Sequence, residues 1–226
     1  METNTKRIMI DPLTGGLIFE PYPESKSKNT KDEDELARTR KLNPNFCPLP
    51  SKLSLDEKYE LARSVGVDCI QEDELYTLLK GDRPVICYDG FEPSGRMHIA
   101  QGVMKAINVN RLCDAGCIFV FWIADWFALM NNKMWGDMDK IQIVGKYFIE
   151  VWKAVGMKMS NVKFLWTSEH IEADSEKYWL QVMDIAMKNN ITRIKKCSQI
   201  MGRDEGDDLS VAQLLYPCMQ ATDIFF

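Results

Sequence analysis

The sequence predicts an α/β fold in which helices flank a parallel β-sheet. Three short apolar runs, at residues 84–88, 117–124 and 162–166, are bounded by turn residues, which indicates strands rather than helices. A segment with helical periodicity follows each run. A strand–helix alternation with right-handed crossovers gives a Rossmann-like sheet, which binds its ligands at the carboxyl ends of the strands.

Length and composition are those of a globular protein with one domain, or one domain and an extension. The chain has 226 residues, of which 46% are hydrophobic and 27% are charged. The net charge of −5 gives no overall attraction to nucleic acid, so any RNA contact must use a local patch. The sequence contains no apolar run of about eighteen residues and no charged-then-apolar leader, so neither a membrane span nor a signal peptide is expected.

The cysteines are expected to be reduced thiols of a cytosolic protein. Their number is odd and most lie in apolar segments: Cys47, Cys69, Cys87, Cys113, Cys117, Cys197 and Cys218. Cys113 and Cys117 have no second pair at metal-ligand spacing and lie far along the chain from both histidines. No metal site is therefore expected.

Residues 1–50 are predicted to be an N-terminal extension of a domain formed by residues 51–226. Two apolar stretches on either side of residues 11–16 predict a small β-hairpin or docking arm. Charges dominate from Ser25 to Lys41, which leaves either a solvated linker or a weak helix over residues 31–42. The scarcity of apolar residues favours a mobile linker.

Two short helices are predicted before the first strand of the sheet. Ser54 is the predicted N-cap of the first, and Glu57 completes a capping box with it before the helix stops at Gly66. The second helix is predicted over residues 72–80 and ends at Gly81.

A glycine-rich turn follows the first strand and leads into a helix. Gly90, Pro93, Ser94 and Gly95 force an open turn, and apolar residues then recur at helical spacing. Such a turn presents backbone N–H groups and a helix N-terminus to an anion, which predicts a phosphate site. One of the two histidines, His98, lies at the start of this helix. The alternative is an ordinary α/β turn in which His98 caps the helix.

The residue order in this turn resembles the signature of class I aminoacyl-tRNA synthetases, in particular the tyrosyl-tRNA synthetases. The similar segments are Tyr88-Asp89-Gly90-Phe91-Glu92-Pro93-Ser94 and His98-Ile99-Ala100-Gln101, which corresponds to the family's His-Ile-Gly-His motif. Gln101 departs from that motif, as in the eukaryotic and archaeal branch. The resemblance implies that the turn binds ATP through Gly90, Glu92, Gly95, His98 and Gln101. It also implies catalytic roles for His98, Ser94 and Gln101.

The second apolar run is apolar on both faces and is predicted to lie in the middle of the sheet. It ends at Asp125, which places a carboxylate where such sheets bind ligands. Asp125 is therefore predicted to bind the substrate. The alternative is that Asp125 caps the following turn.

An amphipathic helix is predicted from Asp137 to Val155, because its apolar residues step by three and four before Gly156. The run Lys158-Met159-Ser160 matches part of the Lys-Met-Ser-Lys-Ser loop of class I synthetases. It precedes the third strand, whereas the family's loop follows the second half of the fold, so the match is interpreted as chance. After the third strand, a helix beginning at Ser175 is predicted to bury its apolar face.

The last predicted helix begins at Ser210 and carries Tyr216, Gln220 and Asp223 on one side, since they are four and three positions apart. A polar surface face is one interpretation, but the otherwise apolar helix favours a lined pocket. Pro217 removes a hydrogen bond within the helix, which indicates a bend.

This helix resembles the Tyr-Pro-x-x-Gln-x-x-Asp pattern of tyrosyl-tRNA synthetases. The resemblance implies that Tyr216 and Gln220 hold the α-amino group of tyrosine. It implies further that Asp223 and Tyr88 bind the phenolic hydroxyl. A site built around that hydroxyl rejects phenylalanine, and the carboxylate argues against tryptophanyl-tRNA synthetases, whose substrate carries an indole.

The two motifs together imply the catalytic portion of a eukaryotic-type cytosolic enzyme of this family, truncated on its C-terminal side. The implied reaction is ATP-dependent activation of tyrosine to tyrosyl-adenylate and transfer to tRNA(Tyr), with Mg²⁺ accompanying ATP and no protein metal site. Implied partners are tRNA and a second copy in a homodimer, paired through residues 131–188, with no membrane. Arg193, Lys195, Lys196 and Arg203 are candidates for tRNA contact, or a solvated helix face. The alternatives are another class I-like nucleotidyltransferase and a non-catalytic tyrosine- or RNA-binding fragment.

Overall fold

The computed structural model describes residues 6–10, 17–21, 28–200, 206 and 208–226. Contacts within the chain define two compact units, one formed by residues 32–170 and the other by residues 171–226 with those up to 31. The strands are β1 (Lys6–Ile10), β2 (Leu17–Pro21), β3 (Ile86–Phe91), β4 (Ile118–Ile123) and β5 (Val162–Trp166). The α-helices are α1 (Lys28–Leu42), α2 (Leu55–Arg63), α3 (Glu72–Lys80), α4 (Lys105–Asp114), α5 (Asp125–Met130), α6 (Met138–Ala154), α7 (Thr167–Ala173), α8 (Ser175–Met187), α9 (Ile191–Ile200) and α10 (Val211–Phe225). A π-helical turn (Ala100–Met104) precedes α4, and short 3₁₀ turns lie at Lys133–Gly136 and Met159–Asn161.

The unit of residues 32–170 contains the predicted parallel sheet, with strand order β3-β4-β5. Phe91 pairs with Ile123, and Ile123 pairs with Trp166, so the carboxyl ends of the three strands meet at one edge of the sheet. The predicted Rossmann-like α/β fold is confirmed. As in other sheets of this kind, the segments leaving that edge are the ones positioned to form a site.

The central strand β4 packs against α6 through an aromatic core. Phe121 and Trp152 stack with their ring centroids 4.3 Å apart, and both side chains are almost fully buried. Gly145 allows α6 to approach the sheet, because a Cβ atom there would lie 2.5 Å from the Trp166 ring. Aromatic rings bury large apolar areas, so this layer is a major source of stability for the unit.

Among the described residues, strand β3 lies at one side of the sheet and is less buried than predicted. Ile86 is 68% exposed and Tyr88 is 45% exposed. Within the described part of the chain, β3 pairs only with β4, so one side of the strand has no sheet neighbour. Its short apolar run therefore indicated a strand correctly but overstated its burial.

The predicted hairpin is present as the antiparallel pair β1–β2, with Lys6 opposite Pro21, and its connecting residues 11–16 lie outside the described residues. Of the two interpretations of the charged segment, the helix over residues 31–42 is the one observed, as part of α1 (Lys28–Leu42), and the preference for a mobile linker is wrong there. Polar contacts hold this helix on its unit: Lys163 Nζ of β5 donates to Glu35 Oε1 at 2.7 Å. Such long-range pairs leave no local signal in a charged sequence. The division of the chain at residue 50 stays a prediction.

Helix boundaries follow the predicted caps. Ser54 and Glu57 form the capping box at the start of α2, and Asp137 caps α6 by accepting from the Lys140 N–H at 3.1 Å. Ser210 begins α10 with a second capping box. The buried face of α6 includes Ile141, Phe148 and Trp152, whereas Val155 at the end of the predicted apolar stripe is 41% exposed.

In the other unit, α10 packs against α8 and α9. Tyr178 and Val182 form the buried face of α8, as its periodicity predicted. All seven cysteines are free thiols, and burial raises the pKa of Cys113 to about 12. None of the described helices is long and apolar enough to cross a membrane.

Candidate functional site

The predicted site residues fall into two groups that belong to different compact units. Residues 88–101 and Asp125 lie in the unit of residues 32–170, at or beyond the carboxyl ends of β3 and β4. Tyr216, Gln220 and Asp223 lie on α10 in the other unit.

The glycine-rich turn leaves β3 with two glycines at positions where a side chain is disfavoured. A Cβ atom at Gly90 would lie 3.0 Å from the Tyr88 hydroxyl oxygen, so the small residue makes room for the phenol along the strand. Gly95 has a φ of 75°, which lies in the left-handed region that glycine adopts at little cost. The two glycines therefore permit the conformation of the turn. The buried side chain of Pro93 holds the turn against the rest of its unit.

Three contacts hold the two ends of this turn. An ion pair joins Asp89 of β3 to Lys105 at the start of α4. Asn131 Nδ2 donates to Glu92 Oε1 at 2.6 Å. The indole N–H of Trp152 donates to the backbone oxygen of Gln101 at 2.8 Å, which ties the turn to α6. These contacts fix the path of the chain between strand and helix, so the turn is supported from both sides.

His98 precedes the helix and is exposed to solvent. Its backbone oxygen accepts from the Gly102 N–H at 2.9 Å, and Ile99 holds the N-cap position of the π-helical turn. Because Ile99 already has helical φ and ψ angles, this bond places His98 at the cap position of the helix, which is compatible with both interpretations of His98. Ser94 is half-buried within the turn, which leaves both side chains near a helix N-terminus that favours anions.

Asp125 is fully buried at the start of α5. Its Oδ1 accepts from the N–H groups of Trp126 at 2.9 Å and Ser168 at 3.0 Å, and its Oδ2 accepts from the Ser168 hydroxyl at 2.5 Å. Burial raises the pKa of Asp125, against the opposing effect of hydrogen bonds from Ser168, Trp126 and Gln142. The carboxylate thus joins the end of β4 to the start of α7. This geometry favours a structural role, close to the capping alternative, and the ligand role of Asp125 stays an untested prediction.

The three polar residues predicted on one side of α10 differ in their exposure to solvent. Gln220 is exposed, whereas Tyr216 and Asp223 are half-buried. Asp223 Oδ1 accepts a hydrogen bond from the hydroxyl of Tyr178 at 2.9 Å. Pro217 lies inside the helix, as predicted.

Several residues that shape these groups were not predicted as site residues. Tyr178 was predicted only as part of the buried face of α8, and its partner Asp223 lies 45 residues further along the chain. Asp89 lies within the first family motif and Lys105 lies shortly after the second. Because successive side chains of a strand point to opposite faces, the sequence could have placed Asp89 on the face opposite Tyr88. Nothing local in the sequence links Trp152 to Gln101.

Two sequence features lie elsewhere. Lys158 forms an ion pair with Asp114, and the 3₁₀ turn Met159–Asn161 leads directly into β5, which supports the interpretation of the Lys-Met-Ser match as chance. In the basic cluster, Lys195 and Lys196 are exposed on α9, and Arg203 lies outside the described residues.

Comparisons with known proteins identify the family to which both segments belong. The sequence model of the family described as tRNA synthetases class I (W and Y) matches residues 80–226. The Arabidopsis thaliana protein tyrosine–tRNA ligase 1, cytoplasmic, is 61% identical over 172 residues, which cover 76% of this chain and 45% of that protein. The Arabidopsis tyrosine–tRNA ligase 2, cytoplasmic, is 54% identical over 225 residues, which cover 99% of this chain and 30% of that protein.

A solved structure gives the same result. Tyrosyl-tRNA synthetase from Leishmania major, in complex with tyrosinol, is 60% identical with a TM-score of 0.73, over 76% of this chain and 26% of that one. The chain therefore spans less than half the length of these relatives.

Proposed function

This chain belongs to the class I tRNA synthetases of tryptophan and tyrosine, and we propose that it is the amino-acid-activating portion of a tyrosine–tRNA ligase. The observation that carries the proposal is the 61% identity to a tyrosine–tRNA ligase over 172 residues. The family match over residues 80–226 includes both the glycine-rich turn and the α10 motif, which the sequence by itself had linked to one family.

The proposed reaction has two steps. The carboxylate oxygen of tyrosine attacks the α-phosphorus of ATP, which forms the acyl–phosphate bond of tyrosyl-adenylate and breaks the bond to pyrophosphate. A ribose hydroxyl at the end of tRNA(Tyr) then attacks the carbonyl carbon and AMP leaves. Mg²⁺ enters this proposal only as the counter-ion of ATP, through the phosphate oxygens, and no residue of the chain is assigned to it.

We assign the nucleotide to the glycine-rich turn. Three observations support this assignment: the left-handed conformation of Gly95, the exposure of His98 and the helix N-terminus that follows the turn. In this assignment the imidazole and the Ser94 hydroxyl donate to phosphate oxygens, where negative charge grows during the attack. Gln101 and Glu92 are assigned to the same nucleotide, and the backbone of Gly90 lets it approach closely.

We assign the amino acid to α10. Tyr216 and Gln220 bind the α-amino group, and Asp223 accepts a hydrogen bond from the phenolic hydroxyl. Tyr88 is a second proposed partner of that hydroxyl, on the strength of the resemblance alone. A site that hydrogen-bonds a substrate hydroxyl leaves its polar group unpaired with the analogue that lacks it, and tyrosyl-tRNA synthetase is the standard example of this behaviour.

The remaining assignments concern the whole protein. The relatives are named as cytoplasmic proteins, which supports a cytoplasmic location. The exposed Lys195 and Lys196 are candidates for contact with the tRNA acceptor end. Homodimer formation through residues 131–188 stays a prediction, supported by exposed apolar side chains such as Trp135 and Met187.

ATP–pyrophosphate exchange with the full-length protein tests the proposal. Exchange should depend on tyrosine and should be far less efficient with tryptophan or phenylalanine. The variant His98→Ala should slow single-turnover adenylate formation by on the order of 2–4 kcal/mol of transition-state stabilisation while tyrosine binding persists. Equal losses in the rate of adenylate formation and in the affinity for tyrosine would contradict the assignment of His98 to the nucleotide site. Exchange that depends on tryptophan would replace tyrosine by the other substrate of the family, and no exchange with either would favour a non-catalytic binding protein.

A further inference from the structure

A buried phenol on α8 contacts the carboxylate that we assign to substrate recognition. The side chain of Tyr178 is fully buried, and its hydroxyl donates to Asp223 Oδ1 at 2.9 Å. Both residues lie in the unit formed by residues 171–226 and those up to 31, where α8 and α10 pack together. The contact is therefore internal to one compact unit.

The position of this hydroxyl is fixed by the packing of its ring. The Tyr178 ring meets Phe226 edge to face, with centroids 5.1 Å apart, and meets Trp179 in the same manner at 5.7 Å. A ring held by packing gives its hydroxyl one location. A half-buried carboxylate that bonds to this hydroxyl is consequently restricted in rotation, as supporting residues restrict functional groups in preorganised sites.

The hydrogen bond from Tyr178 uses one oxygen of the Asp223 carboxyl group. An ionised carboxylate has two oxygens with about four acceptor positions, so a bond at Oδ1 leaves acceptor capacity for a second phenol. An ionised and oriented carboxylate is what a substrate hydroxyl requires.

We propose that Tyr178 is a positioning residue for substrate discrimination: its hydroxyl holds the Asp223 carboxylate in the orientation that accepts the phenol of tyrosine. Tyr178 does not touch the substrate in this proposal and acts only through Asp223. The inference rests on the proposed function, because it requires Asp223 to recognise a substrate hydroxyl.

A purely structural role is the competing explanation, in which the bond only joins α8 to α10. The chain offers a matched control, since Tyr76 Oη of α3 donates to Asp56 Oδ1 of α2 at 3.0 Å on the exposed surface. Tyr76→Phe and Tyr178→Phe each delete one hydroxyl that donates to an aspartate and keep the ring. Only the second deletion is expected to change substrate choice.

The test uses the full-length protein and pyrophosphate exchange with tyrosine and with phenylalanine. Tyr178→Phe should lower the ratio of kcat/KM for tyrosine over phenylalanine by about tenfold, the effect of losing one hydrogen bond to a charged group. The KM for tyrosine should rise while the KM for ATP is unchanged. Tyr76→Phe should leave the ratio and both KM values as they are.

The variant Asp223→Asn completes the experiment. Because Tyr178 acts through Asp223, the double variant should lose no more discrimination than Asp223→Asn alone. A ratio that is preserved in Tyr178→Phe but falls in Asp223→Asn would overturn the positioning role, as would additive losses in the double variant. If Tyr178→Phe does not fold, it is replaced by Phe226→Leu, which loosens the packing of the Tyr178 ring and should lower the ratio. An unchanged ratio in Phe226→Leu also counts against the proposal. If the unsubstituted protein shows no tyrosine-dependent exchange, the proposed function itself fails.

Discussion

Asp125 and Asp223 are two carboxylates that the sequence assigned to the same substrate, and their surroundings differ sharply. Asp125 is fully buried and accepts hydrogen bonds from the Trp126 and Ser168 N–H groups and from the Ser168 hydroxyl. Asp223 is half-buried on α10 and accepts from the hydroxyl of Tyr178. The donors to Asp125 therefore come largely from backbone that the fold itself holds in place.

The difference separates a carboxylate that builds the fold from one that can serve a substrate. A buried carboxylate is stable only when donors compensate for its lost hydration, so the donors of Asp125 are part of the structure of its unit. A half-buried carboxylate keeps access to solvent and to a ligand. Position at the end of a central strand is consistent with either role, and the surrounding donors decide between them.

The largest expected effect is on stability at Asp125. Asp125→Ala leaves two backbone N–H groups and one hydroxyl without their buried acceptor, which should lower the free energy of unfolding by ~3 kcal/mol. Urea denaturation measures the loss, with Asp223→Ala as the control that should lose clearly less. A stable Asp125→Ala protein that no longer binds tyrosine would return Asp125 to the ligand set.

The next effect is on substrate choice at Asp223. Asp223→Ala should reduce the discrimination of tyrosine against phenylalanine by about 1–3 kcal/mol, because the phenol loses its acceptor. The ratio of kcat/KM for the two amino acids measures it in the full-length protein. Asp125→Asn, which keeps an oxygen acceptor for the two N–H groups, should preserve that ratio. If the ratio survives Asp223→Ala, the carboxylate does not recognise the hydroxyl.

A smaller effect is expected on the pH dependence of protein stability. Burial raises the pKa of Asp125 above its ordinary value of 3.8. The folded protein then binds more protons than the unfolded protein in the window between 3.8 and the folded pKa, so stability falls as the pH rises through that window. Asp125→Asn should remove this slope.

Denaturation at several pH values checks this slope. Asp137→Asn serves as a control of opposite sign, since hydrogen bonds from Lys140 lower the pKa of Asp137 and its contribution is lost as the pH falls. Identical pH profiles for Asp125→Asn and the unsubstituted protein would mean that Asp125 ionises as it does in the unfolded chain.

The smallest effect is expected at Asp89, a third carboxylate near the nucleotide turn. Its ion pair with Lys105 is about one-third exposed on both sides, so solvent and salt screen it. Asp89→Asn should cost about 0.5 kcal/mol of stability at low salt and less at high salt. Lys105→Met should cost the same, and the double variant no more than either. A loss as large as that of Asp125→Ala would show that this pair, too, belongs to the core.

Local patterns were sufficient for much of the fold. Strand β5 was predicted with its observed ends, and the capping boxes at Ser54 and Ser210 begin the helices they were expected to begin. Capping and apolar runs act over a few residues, so they can be recognised in a single sequence. The family resemblance added the assignments on the turn and on α10, which no local pattern could supply.

Contacts between distant residues decided the rest. Helix α1 was predicted to be mobile because its charges looked solvated, yet Lys163 and Glu169 of the same unit bind it. Strand β3 has the composition of a buried strand, but its burial depends on which strands flank it, and among the described residues only β4 does.

The sequence by itself determined the α/β class, the parallel order of the strands and the residues that mark the family, because each rests on short-range periodicity or on residue identity. Only the tertiary structure decided that Asp125 is enclosed by donors and that Asp223 is held by Tyr178. Burial and hydrogen-bond partners depend on which segments meet in space. A carboxylate looks the same in a sequence whether the fold has compensated its charge or left it for a substrate.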